Sequence, residues 1–393
     1  MRAIRKTINK MKQNSKILIA AGGTGGHIFP ALSIINEIKM NDFIVITDQR
    51  GENYFNKFFS NKNINHKIFV HKVSSPSNDL FIVKLRSIYQ LSISLLKTIF
   101  LILLNKPQVI VGFGGYPSVA PVIAAKLLKI PSIIHEQNAI IGRANKLLGK
   151  ISNLLALSFF ETKNTENNHN LIYTGNPTRK EHCLRQLSYS APSKTERFEI
   201  LIVGGSLGAN FFSEQVTAII CSLPRELREK IYITQQVGKN DISKVKRIYK
   251  NHQIEFFIES FFDDIFEKLK KAHLIIARSG GSSVAEILTS RRPVIFIPLP
   301  NSFDNHQLEN TKLITKIGGG WVLDQNNEII KTLKKLLENL IKNPKKLVIA
   351  SNQMKKLSED LEVKRKNKPA TEFFSDVLID LIKTNHKKIS KPC

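Results

Sequence analysis

The chain has 393 residues, 42% of them hydrophobic and 23% charged, a balance that excludes global disorder and fibrous repeats. At about 150 residues per domain this length predicts two or three domains, each long enough to bury a sizeable core. The charge is unusual: 59 Lys and Arg against 32 Asp and Glu give a net charge of +27, which favours an anionic partner, whether nucleic acid, an anionic membrane surface or a phosphorylated substrate.

The chain opens on a basic stretch, MRAIRKTINKMKQNSK, followed by an apolar run of only residues 17–21 before glycines begin. That run is too short for a secretory signal; a targeting arm, or a start at Met11, fits it. Short β-branched runs then alternate with helical patterns. In the first half the runs fall at residues 16–21, 43–47, 108–111, 132–135 and 171–173; in the second at 199–203, 231–234, 254–258, 274–277 and 294–297. Strands alternating with helices of 10–15 residues predict βαβ units and parallel sheets. Between the second and third runs, residues 88–104 are apolar apart from Lys97. A bilayer span needs about 20 apolar residues, so this segment reads as a helix buried on one face or lying on a membrane. Both halves open alike, KILIAAGGTGGHIFPALSIINEI and EILIVGGSLGANFFSEQVTAII. The prediction is two similar doubly wound α/β domains, residues 1–175 and 176–366, joined near TGNPTRKE. Residues 367–393 form a C-terminal helix packing back on the first domain, with Phe373, Val377, Leu378 and Leu381 on its apolar side. Cys183, Cys221 and Cys393 are far apart and form no CxxC or metal-ligand spacing, which points to a reducing compartment.

Three glycine clusters follow predicted strands, at residues 22–26, 112–115 and 204–208. Glycines there allow a tight turn and let a phosphate approach the N–H groups of the next helix. No GxGxxG is complete, because Ile28 stands at its last position, and no GxxxxGK[ST], Asp-x-Asp or HExxH occurs. A dinucleotide dehydrogenase, a P-loop ATPase and an obvious divalent-metal platform are therefore disfavoured, and neither metal nor cofactor is expected. His27 closes the first cluster, as a helix cap or as a general base. The run from His135 to Asn138 places four hydrogen-bonding side chains after a buried strand, suited to a polyol. RSGGSS, residues 278–283, leads to Glu286, a carboxylate able to accept two sugar hydroxyls or simply to complement the helix dipole. DNHQ, residues 304–307, follows another strand.

Together GGTGGHIFPAL, GFGGYPSVAPVIAA, HEQNAIIGRANKLL, TGNPTR, VGGSLGAN, RSGGSSVAEI and DNHQLEN resemble the MurG family of peptidoglycan glycosyltransferases. The resemblance runs from residue 22 to residue 310. It implies the GT-B architecture, two Rossmann-like domains facing across a cleft, the first meeting acceptor and membrane and the second binding the UDP-sugar. It implies inverting, metal-independent transfer of N-acetylglucosamine from its UDP derivative to undecaprenyl-diphosphate-linked N-acetylmuramyl pentapeptide. By position, Ser206 meets the donor diphosphate, Glu286 the ribose and Arg179 the donor, and the backbone of Phe262, where the family usually has Ile, meets the uracil. Asn138 and Gln307 hold hydroxyls of the transferred sugar. Thr24, Gly25 and Gly26 match the loop meeting donor and acceptor; Gly114, Gly115, Tyr116 and Ser118 match the loop for the acceptor diphosphate. RSGGSS departs from the family's more usual Gly-Ala-x-Thr pattern. His27 is the candidate base. A peripheral place on the cytoplasmic face of the bacterial inner membrane is implied, with other cell-wall synthesis proteins as partners. Between Glu52 and Glu161 only Asp79 and Glu136 are acidic against thirteen Lys or Arg. That basic rim, including Lys72, Lys84, Arg86 and Lys97 around residues 88–104, suits an anionic bilayer; the alternative is that residues 88–104 are core. Same-fold alternatives are a glycolipid synthase and a UDP-N-acetylglucosamine 2-epimerase. A nucleic-acid-binding protein is motivated by charge alone.

Overall fold

The computed structural model describes residues 16–38, 40, 42–60, 62–71, 81–193, 196–205, 210–300 and 302–389, with the backbone alone for residues 81–86, 303 and 386–389. The basic N-terminal stretch and Lys72 lie outside the described residues, as do the side chains of Lys84 and Arg86. Two compact units divide the chain: Met1–Arg179 with Lys368–Cys393, and Lys180–Asn367.

The first unit runs β1 Lys16–Ala20, α1 Gly25–Glu37, β2 Asp42–Thr47, α2 Gln49–Phe59, β3 Asn65–Val70, α3 Phe81–Asn105, β4 Val109–Gly112, α4 Val119–Leu127, β5 Ser132–Glu136, α5 Arg143–Ile151, β6 Leu154–Leu157 and β7 Leu171–Tyr173. The seven strands are all parallel in the order β3-β2-β1-β4-β5-β6-β7. Parallel strands are covered on both faces, so they read as near-continuous apolar runs. Alternate residues of β1 enter opposite cores: Ile17 and Ile19 join Phe43, Val45 and Phe55 on one side, while Leu18 and Ala20 join Ile44, Ile46 and Ile102 on the other. Each fully buried Ile, Leu, Val or Phe among them contributes about 1.5–3 kcal/mol of hydrophobic burial.

The second unit runs α6 Glu181–Arg185, β8 Phe198–Val203, α7 Thr217–Cys221 after a π-turn at Phe212–Val216, α8 Arg225–Arg228, β9 Ile231–Gln236, α9 Ile242–Asn251, β10 Glu255–Glu259, α10 Ile265–Lys271, β11 Leu274–Ala277, α11 Gly281–Ser290, β12 Val294–Phe296, α12 His306–Thr315, β13 Gly320–Val322, α13 Ile329–Lys342 and α14 Lys345–Val363. Its six parallel strands repeat the pattern, β10-β9-β8-β11-β12-β13. The segment before β8 is pinned down: Arg292 donates to the Ser188 carbonyl at 2.8 Å, and the Tyr189 hydroxyl donates to His273 O at 3.0 Å.

The chain then returns to the first unit as α15, Ala370–Ile389. Phe374, Leu378 and Ile382 are buried in the first core, with Val377 and Leu381 partly buried against it. The Phe374 ring stacks on Phe113 at 5.9 Å and meets His135 edge-on at 5.5 Å. The tail helix therefore packs directly beneath the strand ends that carry the candidate site.

Helix α3 resolves both readings of the 88–104 segment. Ser94, Thr98, Leu101 and Ile102 are buried, at helical spacing, while Ile88, Tyr89, Leu96, Phe100, Leu103 and Leu104 are exposed. By length and composition alone Ser87–Asn105 suffices to cross a membrane. Yet Leu101 and Ile102 belong to the sheet's own core, with Leu95 and Ile99 packed against it. One face is core and the opposite face is apolar surface.

Candidate functional site

Open α/β sheets bind ligands outside the strands' carboxyl ends, where the strand order reverses. In the first unit that point lies between β1 and β4. The loop after β1 turns at Gly23, at φ +86°, and its N–H donates to Asp48 Oδ2 at 2.7 Å. Helix α1 opens at Gly25 with Thr24 as its N-cap in extended conformation and no acidic residue in its first turn. No carboxylate of the helix's own first turn offsets its positive end.

His27 sits in that first turn. Its Nδ1 lies 3.0 Å from the Gly22 carbonyl. A carbonyl only accepts, so Nδ1 carries the proton and Nε2 presents a lone pair. The loop after β4 closes on the same ring. Gly114 and Gly115 adopt φ +88° and +72°, and a Cβ added at Gly114 would sit 3.3 Å from His27 Nε2. Only glycine meets both the left-handed backbone and this approach. Enclosure by protein lowers the imidazole pKa from its ordinary 6.5, against the Gly22 hydrogen bond and the charges of Glu136 and Asp48, which raise it. The net result is a neutral imidazole.

Of the second glycine loop, Gly114 and Gly115 line this region, and the half-buried Tyr116 follows them, but the Ser118 side chain is turned inward. It is fully buried, and its hydroxyl is directed at the Ala20 and Gly114 carbonyls at 3.0 and 2.9 Å. It ties the end of β1 to the glycine loop.

The four polar residues after β5 divide three to one. His135, Glu136 and Gln137 are buried. Glu136 Oε1 accepts from the Asn138 backbone N–H at 2.9 Å and its side-chain amide at 3.1 Å; Oε2 accepts from Gly142 N–H at 2.9 Å and Asn145 Nδ2 at 2.8 Å. Gln137 Nε2 donates to the Phe113 carbonyl at 2.7 Å and lies 3.0 Å from His135 Nδ1. His135 Nε2 then donates toward Gly175 O at 3.3 Å and Ser158 Oγ at 3.1 Å. Burial pushes the His135 pKa down to about 3. The expectation that all four meet a polyol is corrected: His135, Glu136 and the Gln137 amide nitrogen are engaged internally, as buried polar groups usually are, and Glu136 orients the half-buried Asn138. Arg179 lies with its guanidinium 4.0 Å from the centre of the Phe29 ring.

In the second unit the reversal lies between β8 and β11. Gly205 turns at φ +65° after β8, with no described residue within 4 Å of its Cβ position, while Ser206 lies outside the described residues. Phe262 is buried against Phe257, ring centres 6.3 Å apart. Arg278 is a buttress: Nη1 donates to the Ile297 and Pro298 carbonyls, each at 2.9 Å, and Nη2 to Gln325 Oε1 at 2.8 Å. Helix α11 starts after Gly280, again with no acid in its first turn, and the half-buried Glu286 stands further along it. Gln307, at the start of α12, follows two left-handed residues, Asp304 and Asn305, at φ 52° and 53°. Its Oε1 accepts from Leu299 N–H at 2.9 Å, which turns the amide's donor side the other way.

Asp48 and Asn145 are site residues that the motifs did not single out. Asp48 follows a strand and caps a helix, so its sequence context reads as ordinary capping; Asn145 sits at an unremarked helical position. Among the described residues no three His, Cys, Asp or Glu side chains group as metal ligands.

Two family models match the chain: the glycosyltransferase family 28 N-terminal domain over residues 17–155 and the family 28 C-terminal domain over residues 199–367. A UDP-N-acetylglucosamine--N-acetylmuramyl-(pentapeptide) pyrophosphoryl-undecaprenol N-acetylglucosamine transferase of Wolbachia pipientis subsp. Culex pipiens is 38% identical over 343 residues, 86% of this chain and 94% of the relative. The protein of the same name from Agrobacterium fabrum is 36% identical over 338 residues, 84% and 87% of the two chains. Among solved structures, Acinetobacter baumannii MurG superposes with a TM-score of 0.68 at 24% identity, covering 94% of this chain and 99% of that one. At that identity the likeness bears on fold.

The two histidines should titrate apart. In imidazole NMR spectra His135 should stay neutral down to roughly its pKa of about 3, while His27 should take its proton below 6.5 with Nδ1 protonated in the neutral form. Because the unfolded chain binds a proton on His135 near 6.5 and the folded chain does not, stability from this group is full above that pH and is lost as pH falls toward 3. A His27 that titrates above 6.5, or favours the Nε2–H tautomer, would contradict the geometry.

Proposed function

The chain belongs to glycosyltransferase family 28, and we propose that it transfers N-acetylglucosamine from UDP-N-acetylglucosamine to undecaprenyl-diphosphate-linked N-acetylmuramyl pentapeptide in peptidoglycan synthesis. What carries this reading is end-to-end similarity to transferases of that name, 38% identical over 343 residues. Likeness of a UDP-N-acetylglucosamine 2-epimerase from Listeria monocytogenes, at 15% identity, bears on fold alone. The two Rossmann-like domains place the chain in the GT-B class.

In the proposed reaction the acceptor's sugar hydroxyl oxygen attacks the anomeric carbon. The bond from that carbon to the diphosphate oxygen breaks, the anomeric configuration inverts, and UDP leaves. The hydroxyl's proton passes to His27 Nε2, the nitrogen left as acceptor by the Gly22 contact. Charge grows on the departing diphosphate, where the Ser206 N–H and the N-terminus of α11 would stabilise it. Glu286 accepts from the ribose hydroxyls, the Phe262 backbone meets the uracil and Arg179 meets the donor. Gln307 donates to the transferred sugar and Asn138 holds another of its hydroxyls. Thr24, Gly25 and Gly26 meet donor and acceptor; Gly114, Gly115 and Tyr116 take the acceptor diphosphate, with Ser118 fixing their loop.

The same reading makes the enzyme a peripheral protein of the cytoplasmic face of the inner membrane, where its lipid-linked acceptor resides. The exposed face of α3 supports it. Leu96, Phe100, Leu103 and Leu104 are each more than half exposed, and the neighbouring α4 and α5 add exposed Leu127 and Leu147. Exposed Lys97, Lys126, Lys129 and Lys150 flank them. Apolar area with basic charge is what interfacial binding to anionic lipid needs, each nearby Lys or Arg adding about 1 kcal/mol.

His27→Gln should lower kcat by about 10²- to 10⁴-fold and leave UDP affinity unchanged. In the unsubstituted enzyme the neutral imidazole is the active form, so activity should persist below pH 6.5 and fall only as pH drops through the depressed pKa. A His27→Gln enzyme with near-normal kcat and the same acid limb would remove His27 as the base.

The paired substitution Leu96→Ser and Phe100→Ser should release the protein from anionic phospholipid vesicles while UDP binding stays intact. Raising salt should weaken the unsubstituted protein's binding, as the screening length shrinks to about 8 Å at physiological ionic strength. Unchanged sedimentation with vesicles would place the membrane face elsewhere.

A further inference from the structure

Capping a helix takes one carboxylate oxygen; Asp48 uses two. Its Oδ1 accepts from Gly51 N–H at 2.9 Å and caps α2. Its Oδ2 accepts from Gly23 N–H at 2.7 Å, across 25 residues of sequence. That second bond has the short length of a charge-assisted contact and lands in the loop whose Gly22 carbonyl receives His27 Nδ1. Gly22 itself is squeezed: a Cβ there would lie 2.8 Å from Pro117 Cγ and 3.1 Å from Asp48 Cγ. The first glycine loop is held between Asp48 on one side and the second glycine loop on the other.

We infer that Asp48 is a positioning residue for the transfer reaction, clamping the first glycine loop to the start of α2 so that the His27 imidazole keeps its proton on Nδ1 and its Nε2 lone pair presented. The inference rests on the reading of His27 as the base. Asp48 reaches no reacting atom in this account; it acts through Gly23 and Gly22. The charges facing the imidazole are those of Asp48 and of Glu136 on β5, both attractive to its protonated form, with neutral His135 beside them and Arg50 3.9 Å from Asp48 at the solvent edge.

Asp48→Asn separates the clamp from the cap. An asparagine Oδ1 still caps α2 well, but its NH2 group faces the Gly23 N–H, donor against donor, and the negative charge is gone. The fold should survive, as circular dichroism and UDP binding would report. kcat should fall about tenfold or more, since small misplacements of a catalytic group are costly, with little change in donor KM. By imidazole NMR the His27 pKa should drop below that of the unsubstituted protein, because a charge favouring the imidazolium is lost. The acid limb of the pH–rate profile should follow it downward. An unmoved His27 titration, with or without a loss of kcat, overturns the clamp. A His27 titration that moves while the acid limb stays put removes His27 as the base, and with it the positioning role of Asp48 in the transfer.

Discussion

The candidate site depends on one close approach: two glycine loops, from different strands, meeting a single imidazole ring. Gly114 and Gly115 lie against its ring, and the Gly22 carbonyl accepts from its Nδ1. The Gly22 carbonyl, which can only accept, fixes which nitrogen carries the proton. Partial enclosure then keeps the ring neutral by making the charged form expensive to solvate. The tautomer follows from the Gly22 carbonyl and the protonation state from burial, opposed by the charges of Glu136 and Asp48.

The buried polar residues beneath the site maintain that placement. Ser118 ties the second glycine loop to β1. Glu136 gathers four donors and shapes the 136–145 segment, and Gln137 ties that segment to Phe113, just past the end of β4. Phe374, arriving from the far end of the chain, closes the layer below through Phe113 and His135. The C-terminal helix is thereby part of the site's foundation. In the second unit Arg278 plays the corresponding part, joining the loops after β11 and β12, next to the Leu299 N–H that orients Gln307.

The doubly wound class and most strands were legible because strands buried on both faces spell long β-branched runs. Strands β3, β6 and β13 were not among the predicted runs, for physical reasons. β3 is an edge strand, NHKIFV, half exposed and mixed in polarity. β6 is LLAL, with no β-branched residue, and β13 is three residues beginning with glycine. At the site, glycines announced themselves because spacing and type are visible in sequence. Direction is not visible: nothing in HEQN says that His135, Glu136 and Gln137 point inward, and nothing in TDQRGEN says that Asp48 has a second oxygen engaged. Residues 88–104 were ambiguous because a helix with one buried face and one apolar exposed face has the same composition as a core helix.

The central claim is the transfer itself. The direct measurement incubates the protein with radiolabelled UDP-N-acetylglucosamine and undecaprenyl-diphosphate-linked N-acetylmuramyl pentapeptide in anionic phospholipid, with and without chelator, and separates lipid-linked from water-soluble label. The account predicts label moving into the lipid fraction in step with UDP release, undiminished by chelator. Label that stays entirely in water-soluble sugar nucleotide, whether unchanged or epimerised, would contradict it.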